Sequence, residues 1–294
     1  MRVTDRMIYD SASRLTGRAR DEVQSATEES SSGIRVAHPG DDPTAAGQIV
    51  GHQLAHDRVA AIVSTASVAA QNLRTADGAL QSVSDVLARA RELATQLGND
   101  TADAGMRAAG AAEMKGLMQS AISALNTRSG DHYLFGGFAD NKPPFDNNGV
   151  YQGDAGVRQL EVAPGLSTNV SVRADVAIAG VGGGVDILKT LSDLSASMAA
   201  NDGSAIRSSL DTLAQGTAQV ATGRASAGAS VNTLDAVVTV GQSARDAETK
   251  SISNLQDADA IASATRLALA QRALEASISA STQSFKVTLL DYVK

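Results

Sequence analysis

The sequence predicts a mainly α-helical protein with a small β-rich insert, built on long antiparallel, coiled-coil-like helices contributed by both termini. Three observations carry this. Heptad patterns flank the middle of the chain, Ala dominates the composition while aromatics are scarce, and the apolar period shortens to two in one central stretch. The 294 residues include 53 Ala and 26 Gly, no Cys or Trp, and only four Phe and four Tyr. Ala buries little area, at about 25 cal/mol per Å² of apolar surface. Slender helix packing therefore suits this composition better than a broad core, and at roughly 100–200 residues per domain the length allows two or three domains.

Ahead of Asp42 a first helix is expected, with Ile8 and Leu15 seven apart and Val23 beyond. Ser31-Ser32-Gly33 closes it, since Gly suits the left-handed position after a helix end. Glu28 and Glu29 sit where the helix dipole disfavours negative charge, so this segment is marginal alone. Asp42-Pro43 then reads as an N-cap followed by Pro at the first helical position. The helix it opens carries an unbroken three-four rhythm through Val59, Ile62, Ala66, Ala69, Leu73, Ala76, Leu80, Val83, Leu87, Ala90, Ala94 and Leu97, and ends at Gly98-Asn99-Asp100. A weaker helix follows, with Met114, Met118, Ala121 and Leu125 on one face.

The second half mirrors the first. After Asn201-Asp202-Gly203, Ile206, Leu210, Leu213, Thr217, Val220, Arg224, Ala227, Val231, Leu234 and Val238 repeat the spacing, with Arg224 as the interruption. The final helix carries two apolar stripes: Leu267, Leu274, Ile278, Phe285 and Tyr292 on one, and Leu269, Ala273, Ala276, Ala280, Val287 and Leu290 on the other. One partner helix buries one seam, so two stripes imply several neighbours. Between the halves lies the insert, where Thr168, Val170 and Val172 alternate and Tyr133, Phe135, Phe138, Phe145 and Tyr151 are the candidates for a small core of its own. Gly180 to Gly184 returns the chain to helix at Val185. The expected domains are 1–43 with 250–294 (terminal helices), 44–131 with 185–249 (long-helix bundle) and 132–184 (insert).

Several classes are excluded or weakened. Without Cys there are no disulfides, thiolate metal sites or Cys nucleophiles. A net charge of −7 opposes the basic stripe that a nucleic-acid binder needs. The opening MRVTDRMIYD lacks the apolar stretch of a cleaved signal, and no apolar run is long enough to span a membrane. His52 and His56 stand four apart, as two zinc ligands on a helix would. The next position after His52 is Gln53, however, which cannot serve as the general base a zinc hydrolase needs. Gly180-Val181-Gly182-Gly183-Gly184-Val185 lacks the last glycine of a dinucleotide loop and reads better as a hinge. No catalytic residue, metal or cofactor is expected. A chemoreceptor-like signalling coiled coil lacks its membrane segment, and a self-contained helical bundle leaves the second stripe of the final helix unexplained.

Ser31-Ser32-Gly33-Ile34-Arg35-Val36 followed by Asp41-Asp42-Pro43-Thr44-Ala45-Ala46 resembles the turn of the bacterial flagellin superfamily, Asn72 with Asp77-Gly78-Ala79-Leu80 resembles the continuation of its N-terminal helix, and Leu255-Gln256-Asp257-Ala258-Asp259 resembles its C-terminus. Within it, Tyr133-Leu134-Phe135-Gly136-Gly137-Phe138, Lys142-Pro143-Pro144-Phe145, Tyr151-Gln152-Gly153-Asp154 and the ending Leu289-Leu290-Asp291-Tyr292 are similar to the hook–filament junction branch. The resemblance implies a non-enzymatic building block of the extracellular flagellum. Such a subunit is exported without a cleaved signal and self-assembles into a ring between a proximal hook-associated protein and the distal flagellin filament. It implies Gly33, Arg35, Asp41, Asp42 and Pro43 as the family turn. It also implies Leu274, Ile278, Phe285, Leu289, Leu290 and Tyr292 as surface for assembly and for a cytoplasmic export chaperone, with no nucleic acid and no membrane insertion. A short flagellin that forms the filament itself is the alternative.

Overall fold

The structure is a computed structural model that describes the backbone of residues 2–163 and 165–292, and side chains at 7, 9–162 and 165–283. The elements run α1 (Arg2–Ser32), α2 (Pro43–Leu97), α3 (Ala104–Leu125), β1 (Arg128–Ser129), β2 (His132–Tyr133), β3 (Gln159–Ala163), β4 (Leu166–Asn169), α4 (Ala174–Ala177), α5 (Ile187–Ala199), α6 (Gly203–Gln256) and α7 (Ala260–Tyr292). They form two compact units, Ala60–Gln242 and Met1–Val59 with Ser243–Lys294. None of the helices in the described residues is long and apolar enough to cross a membrane.

In the Ala60–Gln242 unit, the expected α2 seam is buried at every position from Ala66 to Leu97. Val63, Ala70, Val86 and Leu93 are buried beside it, a stripe wider than a two-helix seam requires. On α6, Ile206, Leu213, Val220, Ala227 and Leu234 are buried seven apart, while Leu210, Val231 and Val238 are only partly covered. Arg224, the break in that heptad, turns its guanidinium to Asp77 (2.8 Å) and Gln81 on α2. Arg74 of α2 reaches Asp235 of α6 at 2.6 Å, so the two helices run antiparallel with charged pairs along the seam. Asp103 caps α3 by accepting from Met106 N at 2.7 Å, and Asp186 caps α5 from Lys189 N at 2.9 Å. Helix thus resumes at Ile187 rather than Val185, where Asp186 can satisfy a free N–H of the first turn.

The insert is less regular than its alternation suggests. Its described residues form two separate two-stranded antiparallel ladders, β1–β2 and β3–β4, the latter pairing Gln159 with Asn169 and bulged near Ala163. An isolated Phe145–Tyr151 bridge, single backbone hydrogen bonds and side chains hold the remainder. Asn126 donates to the Phe145 carbonyl (2.9 Å) and accepts from its N–H (3.0 Å), and the Phe145 and Tyr151 rings lie 5.2 Å apart. The Tyr151 hydroxyl lies 3.0 Å from the Phe135 carbonyl and 2.9 Å from that of Asp154. Burial, with the charges of Asp175 and Asp154, pushes the Tyr151 phenol up to about 12.

Two expectations about this region are corrected. Phe135 and Phe145 are buried, and Tyr133 and Tyr151 half-buried, but Phe138 is 62% exposed. Gly137 at φ 71° redirects the chain, and the Asp154 carboxylate holds the Phe138 N–H at 2.9 Å, leaving the ring over Gly156 instead of in the core. Nor does the insert keep a core of its own. Phe135, Phe145, Val162, Val172 and Ile178 belong to one hydrophobic cluster with Leu73, Leu80 and Leu188 of the helices. A segment of roughly 50 residues is of marginal size for a core of its own, and sharing the helices' core offsets that.

Candidate assembly surface

The unit formed by Met1–Val59 and Ser243–Lys294 is organised by the Ser-Ser-Gly to Asp-Asp-Pro turn. Gly33 closes α1 at φ 68°, with its N–H on the Glu29 carbonyl at 2.9 Å, the left-handed ending expected of it. The chain then pairs with the link between α6 and α7. Ile34 bridges Asp257, Arg35 N and Val36 N both donate to the Gln256 carbonyl (2.7 and 3.2 Å), and Ala258 N donates to the Gly33 carbonyl at 2.8 Å. Asp41 accepts from the N–H groups of Ala37 (3.0 Å) and His38 (2.8 Å), fixing the bend. Asp42 accepts from Ala45 N at 3.0 Å and caps α2, with Pro43 at its first position. That N–H and the Arg35 guanidinium hold the Asp42 carboxyl below its ordinary value. Asp259 caps α7 through Ala262 N and Ile261 N, which lower its pKa likewise. Beneath the turn, Val36, Ala45 and Ile49 are buried with Ile252 and Leu255 packed against them.

α1 and α7 pack antiparallel, Thr16 beside Ser277 (3.0 Å) and Arg266 beside Glu22 (2.9 Å) and Glu29 (2.6 Å). The α1 seam differs from the expected one. Leu15 is 59% exposed, and the covered positions are Ala12, Thr16, Ala19, Val23 and Ala26. Ile8 lies outside the described side chains. On α7 the covered positions are Ser263, Leu267, Ala270, Leu274, Ser277 and Ser281. The α1 seam is built mainly from small side chains, and α7 sets Leu267 and Leu274 against it. Arg266, outside the apolar pattern of α7, answers the charge of Glu29 near the α1 C-terminus; the sequence signal for it is an acid near that end and a base on a facing helix.

Leu267 and Leu274 of the first α7 stripe therefore face α1, while Ile278 of that stripe is exposed. Of the second stripe, Leu269 is 58% exposed and Ala273 and Ala276 are exposed with it, flanking Glu22 and Leu15 of α1 at the edge of the seam. Ile261, Met7, Val50 and Leu54 are further exposed apolar residues of this unit. The side chains of Phe285, Leu289, Leu290 and Tyr292 lie outside the described ones. His52 and His56 are engaged separately, His52 Nδ1 with Glu248 (2.6 Å) and His56 Nδ1 with Asp57 (3.1 Å).

Long antiparallel helices, the interlocked turn and a terminal helix with exposed apolar side chains define a long-helix protein with a small β insert. Residues 3–139 match the family model described as the bacterial flagellin N-terminal helical region, and the superfamily resemblance of the sequence stands. Within that class, the chain is 26% identical to flagellar hook-associated protein 3 of Escherichia coli K12, over 100% of both chains. It is 27% identical to the protein of the same name in Salmonella typhimurium LT2, over 54% of this chain and 51% of that one. Among solved structures, Bacillus cereus FlgL shares the fold with a TM-score of 0.59 at 20% identity, covering 70% of this chain and 99% of that one.

Proposed function

We propose that this chain is a structural subunit of the bacterial flagellum that joins the hook, through another hook-associated protein, to the flagellin filament. The observation that carries the reading is the end-to-end match to a hook-associated protein 3. That match also favours the junction role over a short flagellin. The exposed stripe of α7 supports assembly by the terminal helices: apolar surface left open in one chain is covered by neighbouring subunits in a ring, and its burial supplies the driving force. The work is mechanical and calls for no catalytic group. Export precedes assembly in this reading, and a chaperone that masks the last helix, including Phe285, Leu289, Leu290 and Tyr292, keeps the stripe from premature association.

Deleting the gene tests the proposal. Hooks should assemble, filaments should be missing, and unpolymerised flagellin should accumulate in the medium, all restored by the wild-type gene. Normal filaments on the deletion strain would overturn the junction role, and long filaments grown from the purified chain alone would reassign it as a flagellin.

A further inference from the structure

We infer that Arg35 is a positioning residue, a clasp that ties the folding of the α1–α7 pair to the adjoining ends of α2 and α6. Its guanidinium uses two nitrogens on two helix termini. One donates at 2.7 Å to the Leu255 carbonyl in the last turn of α6, and the other at 3.3 Å to the Asp42 carboxylate that caps α2. Carbonyls in a last turn have no intrahelical donor, and the negative end of the helix dipole favours a cation there. At the start of α2 the polarity is reversed, so an anion belongs there, and Asp42 supplies it. Arg35 thus joins the two ends through charges that each helix already favours.

The backbone places this fork where two links cross. The link leaving α1 and the link entering α7 cross at Ile34 and Asp257, through the two N–H groups on Gln256 and the one on Gly33. Beyond that crossing, the seam of α1 on α7 is built from Ala, Ser and Thr with few large side chains, and each of these buries little apolar area. The crossing therefore sets whether α1 and α7 meet in register, and Arg35 holds the crossing against α2 and α6. The pair can open as one unit while the helix ends beneath it remain folded on Val36, Ala45 and Ile49.

Hydrogen exchange on the isolated full-length chain tests this independently of any flagellar role. Arg35→Ala should speed exchange about fivefold in both α1 and α7, from the loss of hydrogen bonds made by a charged group. Residues 45–59 and 243–254 should stay within about twofold of wild type. Arg35→Lys should recover only part of the protection, because an ammonium lacks the planar fork that reaches two acceptors. Unchanged exchange in α1 and α7 would overturn the inference. So would equal acceleration in the ends of α2 and α6, which marks general destabilisation, and so would full rescue by lysine, which would make charge alone sufficient.

Discussion

Arg107 on α3 reaches Asn201 twice with one guanidinium nitrogen, at 3.2 Å to the backbone carbonyl and 2.7 Å to the side-chain oxygen. Asn201, in the turn between α5 and α6, stands at φ 57°. The other nitrogens of Arg107 donate to the Leu97 carbonyl (2.9 Å) and the Asn99 carbonyl (3.0 Å) where α2 ends. One buried cation thereby collects carbonyls from two helix endings that intrahelical bonds leave open. Arg107→Met should cost about 2–4 kcal/mol, because the carbonyls lose a charged donor and the site is only 7% exposed. Urea unfolding should show a lower midpoint at an unchanged slope. Arg107→Lys should recover less than half, since a single ammonium cannot meet acceptors spread over two turns.

Whether such features can be read in advance depends on period and side-chain size. The α2 and α6 seams were legible because Leu, Val and Ile recur at heptad spacing over many turns, and both ends of α2 were marked by Asp42-Pro43 and Gly98. The α1 seam was not. Val23 was marked, but the other covered positions are Ala12, Thr16, Ala19 and Ala26, which hydrophobicity alone ranks below the exposed Leu15. Arg107 was invisible for a related reason, since arginine is almost never fully buried and its acceptors here are backbone atoms that carry no residue signature. The assembly surface was legible as two stripes on α7; which stripe meets α1 depended on the small Ser and Ala residues between them.

The insert's two neighbouring phenylalanines should behave oppositely. Phe135 is fully buried in the cluster shared with α2, α5 and α6, so Phe135→Ala should cost about 3–5 kcal/mol, measured as loss of helical signal on denaturation. Because the core is shared, the helices of the Ala60–Gln242 unit should melt with the insert in one transition. Phe138→Ala, at a site 62% exposed, should cost less than about 1 kcal/mol. Two separate transitions in the wild-type unit would contradict the common core.

Acid should act on the terminal unit through its caps. Asp42 and Asp259 both have carboxyls held below the ordinary 3.8. The folded form therefore takes up these protons at lower pH than the unfolded chain does. The stability they contribute is present above 3.8 and is lost as pH falls through the lowered values. Helix content followed by circular dichroism should decline below about pH 4. In Asp42→Asn with Asp259→Asn, whose amides still cap, the decline should be shallower.

The exposed stripe of α7 offers the sharpest separation of folding from assembly. Leu269 is 58% exposed at the edge of the seam on α1, whereas Leu267 and Leu274 lie within it. Leu269→Ser should change the stability of the isolated chain by no more than about 0.5 kcal/mol, as surface substitutions do. In the proposed ring, a neighbour covering that position would lose the burial of the leucine's exposed part, worth about 1–2 kcal/mol per contact, repeated in every subunit. Incorporation into flagella, scored by immunolabelling at the hook tip, should therefore fall sharply although the purified variant keeps its melting temperature. Leu274→Ser should instead lower that temperature, because its loss is felt within the chain. A Leu269→Ser protein that assembles as wild type would show that the stripe is not covered by neighbours, and the contact that joins subunits would then have to be sought on another face.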